Sequence, residues 1–158
     1  MLVHLPIALA VLMPILSFGV LVAWWRGALP RRTWAIVVTF QLLLVGGGLV
    51  AMRTGSAEEE RVEDVVGEAA IHAHEEAAEV FVWGSVGVLA LSALALLLRD
   101  ERRSRLAAAA AALGTVAVLG LGYRVGEAGG ALVYRHGAAS AYADPSGGTA
   151  APDDDDDD

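Results

Sequence analysis

Residues 77–98 read AAEVFVWGSVGVLALSALALLL, twenty-two positions with a single charge, Glu79. At 1.5 Å per residue, this run makes a helix about 33 Å long. That matches the roughly 30 Å hydrocarbon core of a bilayer. Three further runs have the same character: 5–25, 34–52 and 106–123. Together they give a 158-residue chain that is 56% hydrophobic, with a mean hydropathy of +0.54. A soluble fold of this size cannot bury so much hydrocarbon within itself. The sequence therefore predicts an all-α integral membrane four-helix bundle.

Working outward from the spans, the connections differ sharply in charge. The link between the first two runs holds Arg26, Arg31 and Arg32, and the link between the last two holds Arg99, Arg102, Arg103 and Arg105. The remaining arginines, Arg53, Arg61, Arg124 and Arg135, are scattered among many acids. The positive-inside rule makes the two arginine-rich links cytoplasmic and both termini extracytoplasmic. The expected location is a bacterial inner (plasma) membrane, crossed by multiple passes. Trp24, Trp25 and Trp34 are expected as aromatic anchors at the cytoplasmic interface. The start of the chain has neither a basic n-region nor a small-residue cleavage site, so the first span is expected to act as its own insertion signal. Pro14 is expected to kink that span, and the glycines at 46–48, 84, 87, 114 and 120 are expected to let helices approach closely.

The connection at 53–76 is the longest. Ser56 and Glu59 have capping-box spacing, and Val62, Val65, Val66 and Ala69 recur at helical spacing among acids. This predicts a short extracytoplasmic amphipathic helix, with Gly67 ending or bending it. Past the fourth span comes Gly126-Glu127-Ala128-Gly129-Gly130, then the apolar patch 131–134, too short to cross a membrane. Residues 126–137 are expected to turn at Gly129 and Gly130 and fold back over the outer mouth. The transmembrane domain is placed at 1–140. The segment 141–158, ending in the six aspartates Asp153 to Asp158, is expected to be a disordered acidic tail. That run also accounts for most of the net charge of −8.

Several function classes fall away. With no cysteine, thiol catalysis, iron–sulfur ligation and c-type haem attachment are excluded. There is no P-loop, dinucleotide fingerprint or nucleophile elbow, and no basic patch suited to nucleic acid. No pair of acids lies deep in a span, which argues against a proton-driven transporter, and the low charge of the spans argues against an ion channel. The expected partners are the lipid bilayer and other membrane protein subunits.

What remains is histidine. The predicted topology puts His4, His72, His74 and His136 all at the outer face, with Glu75, Glu76, Glu79, Glu127, Arg53 and Arg124 nearby. Imidazole is a common ligand of zinc, copper and haem iron. Two imidazoles from different helices can take opposite faces of a porphyrin, with arginines pairing to its propionates. The candidate cofactor-binding residues are His4, His74, His136, Arg53 and Arg124. The candidate metal ligands are His4, His72, His74, His136 and Glu75. Haem b is the preferred occupant, with zinc or copper as the alternative. The rival reading is a cofactor-free structural or accessory subunit of a larger membrane complex.

These same residues carry a resemblance. Val3-His4-Leu5-Pro6-Ile7-Ala8, Thr54-Gly55 ahead of Glu58 to Glu60, His74-Glu75, and the closing Gly129-Gly130-Ala131-Leu132-Val133-Tyr134-Arg135-His136-Gly137 resemble a family of small bacterial membrane domains of unknown function, number 2231 in that series. The likeness covers about residues 1 to 140. Leu5, where the family has phenylalanine, is the plain departure. The resemblance implies the four-helix fold and points to His4, His74 and His136. Relatives that look like fusions to redox domains imply an electron-transfer setting.

Overall fold

The computed structural model describes residues 4–63 and 68–134, with side chains over 6–55 and 69–132. Four helices make up the fold: α1 (His4–Trp25), α2 (Trp34–Glu63), α3 (Glu68–Leu97) and α4 (Glu101–Tyr134), with a 3₁₀ turn at Arg31–Thr33 before α2. Each is long and apolar enough to cross a membrane, over Pro6–Trp25, Arg31–Gly55, Ala69–Leu97 and Glu101–Leu132. Each helix packs against its chain neighbours, and α1 packs against α4. The helices therefore form a closed ring in up-down-up-down order, with α1 and α3 on one diagonal.

The packing seams step by fours and threes, the repeat that keeps one edge of a helix against its neighbour. In α4 the seam is Ser104, Ala108, Ala111, Thr115 and Val118, all buried, continued by Gly122, Val125, Gly129 and Leu132. In α3 it runs Ile71, His74, Ala78, Phe81, Ser85, Val88, Ser92 and Ala95. In α1 it is Pro6, Ala10, Met13, Ser17, Val20 and Trp24, and in α2 Trp34, Val37, Gln41, Leu44 and Gly48. Lipid gives little hydrophobic drive for helices to pair, so close contact must supply the attraction. The glycines provide it: a Cβ at Gly114 would lie 2.6 Å from Val88 Cγ2, and one at Gly84 would lie 2.9 Å from Leu121 Cδ1. Leu42, Leu43, Trp83, Leu94 and Leu113 point outward, as lipid-facing residues should.

Three expectations need correction. Trp24 and Trp34 are not lipid-facing anchors. Both are buried, with ring centroids 6.4 Å apart, and their indole N–H groups donate to Glu101 Oε1 at 3.0 Å and to the Ser92 carbonyl at 3.2 Å. Of these three tryptophans, Trp25 alone faces outward. A buried indole needs an acceptor for its N–H, and the start of α4 and the carbonyl row of α3 provide one each. The outer connection is helical, but not as a separate amphipathic element: its residues prolong α2 to Glu63 and begin α3 at Glu68. Ser56 thus sits inside α2 rather than capping a new helix. Gly67 lies outside the described residues.

The fold-back does not occur at Gly129 and Gly130. The helix α4 runs unbroken from Glu101 to Tyr134, about 51 Å, and Gly27 is the one glycine with positive φ among the described residues. The apolar residues beyond Tyr123 need no turn to find cover, because α3 runs alongside them and Leu132 packs against Ile71. The segment 141–158 lies outside the described residues.

Candidate functional site

Contacts between seams set the levels of the four helices. Ser17 Oγ lies 3.2 Å from Thr115 Oγ1, and a Cβ at Gly122 would lie 3.7 Å from that of Ala10. One heptad further along antiparallel α1 and α4, the start of α1 at His4 is level with Gly129. On the other side of α4, a Cβ at Gly129 would lie 3.1 Å from His74 Cε1 and 3.4 Å from its Nδ1. Gln41 Nε2 donates to the Ser85 carbonyl at 3.2 Å, and Gly48 faces Val82. Extending that register puts Met52 to Gly55, and with them Arg53, at the level of His74. One level of the bundle therefore holds the first residue of α1, Arg53, His74 and Gly129, with His4 and His74 on diagonal helices.

His74 is the residue set apart by its surroundings. Its seam neighbours in α3 are apolar or small, and it packs on the bare backbone of Gly129. Its Nδ1 is buried and has no hydrogen-bond partner among the described residues. Leaving such an atom unpaired costs on the order of 1–3 kcal/mol, a cost that a ligand on that nitrogen would remove.

The other candidates divide. His72, one turn short of Glu75, is exposed, with Nδ1 3.5 Å from Glu75 Oε2. Arg53, Glu76, Glu79, Arg124 and Glu127 are exposed, while Glu75 is half-buried. Among the described residues, no three His, Asp or Glu side chains converge as a metal-ligand set, so His72, His74 and Glu75 do not form one together. They fail to converge because His74 turns into the seam while His72 turns outward. His4 is described as the first residue of α1, without its side chain, and His136 lies outside the described residues.

The sequence reading missed a second polar level. Ser17, Gln41, Ser85 and Thr115 are each 0–1% exposed, one on each helix. The contacts of Ser17 with Thr115, of Val88 with Gly114 and of Gln41 with Ser85 put them close to one plane, near the middle of the four spans. The hydroxyls of Ser17, Ser85 and Thr115 donate back to the Met13, Phe81 and Ala112 carbonyls at 2.7, 2.8 and 2.6 Å. Gln41 Oε1 is buried and has no partner among the described residues. The available signal was that each of these residues falls on a seam position near the middle of its span.

A family model described as a predicted membrane protein (DUF2231) matches residues 1–141. The chain belongs to this family. No curated protein and no solved structure matches it.

Proposed function

We propose that this membrane protein binds a cofactor at the histidine end of its bundle, with His74 as the central ligand. The observation that carries the reading is the buried, unpartnered Nδ1 of His74 lodged against Gly129. Two features make the residues suitable. An imidazole nitrogen with no partner among the described residues would gain one by coordinating a metal. A glycine on the facing helix leaves room where any side chain would press on the ring. His4 begins the diagonal helix at the same level, so haem b held by two imidazoles is the preferred occupant. Arg53 and Arg124 would then face the propionates. A zinc or copper ion held by His74 with His4 and His136 is the alternative; His72 and Glu75, which turn away from His74, would stand outside it. Bound haem would supply one-electron transfer in a membrane redox setting. The protein's own part is to hold the imidazole rigidly in a helix seam and to keep it at headgroup depth. We place this end on the extracytoplasmic side on the strength of the arginine asymmetry.

The test is the visible spectrum and metal content of the purified protein. A Soret band that is lost in His74→Ala supports haem, and stoichiometric zinc or copper lost in the same variant supports the metal reading. If neither cofactor co-purifies and neither binds when added, the proposal fails.

A second reading, an accessory subunit without a cofactor, has its own support. Gly19, Gly46, Gly87 and Gly120 are exposed, and a Cβ at each would meet nothing within 4 Å. These glycines serve no contact inside the bundle, and they suit close approach by helices of another subunit. Migration as a free monomer after gentle extraction under every condition would count against it.

A further inference from the structure

We infer that the arginine end of the bundle is a preformed binding surface for the headgroups of anionic phospholipids. Segments 26–33 and 98–105 carry seven arginines against two acids, an excess of five positive charges. Internal contacts pin both segments in place. Gly27, in the left-handed region at φ 73°, ends α1, with its N–H donating to the Trp24 carbonyl at 3.0 Å. Arg31 then reaches across to α3, where its guanidinium donates to the Ala95 carbonyl at 3.1 Å and to the Leu96 carbonyl. These carbonyls lie in the last turn of α3, which has no helical donors of its own. The two links thereby become one surface.

The two acids are already engaged. Asp100 caps α4, accepting from the Arg103 backbone N–H at 2.8 Å. Glu101 accepts from Trp24 Nε1 at 3.0 Å and from Arg105 Nε at 3.1 Å. Arg105 also lies over the Trp24 ring, 5.8 Å from its centroid. Seven arginines less Arg31 and Arg105 leave five: Arg26, Arg32, Arg99, Arg102 and Arg103. All five are exposed, and none has a side-chain hydrogen bond or ion pair among the described residues.

Depth and chemistry name the occupant. Leu97 and Leu106, exposed at 77% and 60%, face lipid hydrocarbon about one turn below Arg99, Arg102 and Arg103. Trp25, beside Arg26, is the aromatic residue at that boundary. The free guanidiniums therefore stand where lipid phosphates lie, and the planar fork of arginine pairs with a phosphate through two parallel hydrogen bonds. A zwitterionic headgroup brings its own ammonium into the same positive field. An anionic headgroup brings only negative charge, so the surface discriminates in its favour.

The experiment uses the full chain in neutral detergent and measures lipid retention by native mass spectrometry, with added phosphatidylglycerol or phosphatidylcholine. Phosphatidylglycerol is expected to be retained about tenfold better, with the preference falling about twofold for each arginine removed, since an exposed charge pair in detergent is worth only a few tenths of a kcal/mol. Arg99→Gln/Arg102→Gln/Arg103→Gln should therefore bring the two lipids level, and helix content by circular dichroism should stay unchanged. On the wild-type chain alone, raising salt to about 0.5 M should also collapse the preference, since exposed charges are screened. Equal retention of both lipids overturns the proposal, as does a preference that survives high salt or the triple substitution. Competition by millimolar inorganic phosphate would show free phosphate, not a lipid, to be the ligand, and would also overturn it.

Discussion

Gln41→Leu should leave the bundle as stable as before or make it more stable by up to about 2 kcal/mol. The residue is fully buried at the middle of its span, with one hydrogen bond to its name, Nε2 to the Ser85 carbonyl at 3.2 Å. Hydrogen bonds between helices within membranes average about 0.6 kcal/mol and reach about 1.7 kcal/mol. The Ser85 carbonyl keeps its helical partner when that bond is lost, so no acceptor is stranded. Against the loss stands Gln41 Oε1, buried without a partner. Removing an orphan of that kind recovers on the order of 1–3 kcal/mol. Leucine is close to glutamine in volume, so the cavity term is small. Gln41→Ala is the contrasting case. It removes the same orphan but opens a void beside Val37 and Leu44, and large-to-small core substitutions cost about 2–5 kcal/mol. The net cost should fall between about 1 and 3 kcal/mol. The assay is reversible unfolding in mixed micelles, followed by circular dichroism for the three chains in parallel. The reasoning is refuted if Gln41→Leu is destabilised by more than about 2 kcal/mol. Oε1 would then be engaged in the native protein, and the mid-bundle polar level would be holding a ligand or an ordered water.

The other tests touch packing, the site and topology. Gly114→Ala puts a Cβ 2.6 Å from Val88 Cγ2 and should cost about 1–3 kcal/mol in the same assay, with Val88→Ala on the same chain recovering part of it. Gly129→Val presses on the His74 ring from 3.1 Å. It should abolish cofactor binding while leaving helix content intact, and a normal spectrum in that variant would separate His74 from the cofactor. A cysteine at position 54 should be labelled by an impermeant reagent from outside intact cells, and one at position 102 only after the membrane is opened. The reverse pattern would invert the assigned orientation.

The spans were legible because bilayer thickness acts on each helix separately. Runs of about twenty apolar residues report it without any knowledge of their neighbours, and so do loops with unequal arginine content. The outer face shared by His4 and His74 was legible from the same topology, but their common level was not, because it depends on the register between helices. That register is set by side chains such as Ser17 with Thr115 and Gln41 with Ser85, whose contacts span 98 and 44 positions. Trp24 and Trp34 were misplaced for the same reason. Each lies at the boundary where aromatic anchors gather, and only the ring of helices shows that both turn inward.

The end of α4 was misread on different grounds, and there the sequence held the better answer. Lipid thickness alone stops the fourth helix near Tyr123, leaving Gly126, Gly129 and Gly130 to look like a turn. Positions 104, 108, 111, 115, 118, 122, 125, 129 and 132 nevertheless step by fours and threes without a break, holding Ser, Ala, Ala, Thr, Val, Gly, Val, Gly and Leu. A seam of small and apolar residues that keeps its phase past the lipid boundary is the mark of a helix still packed on a partner. That partner shows the same continuity: 95, 92, 88, 85, 81, 78, 74 and 71 carry the α3 seam outward to Ile71, opposite Leu132. A glycine at a seam position answers to the side chain opposite it. For Gly122 that side chain is Phe81, with a ring carbon 3.2 Å from where a Cβ would stand. For Gly129 it is His74. The glycine that suggested a turn is the residue that makes room for the imidazole, so the same feature both prolongs the fold and locates the site.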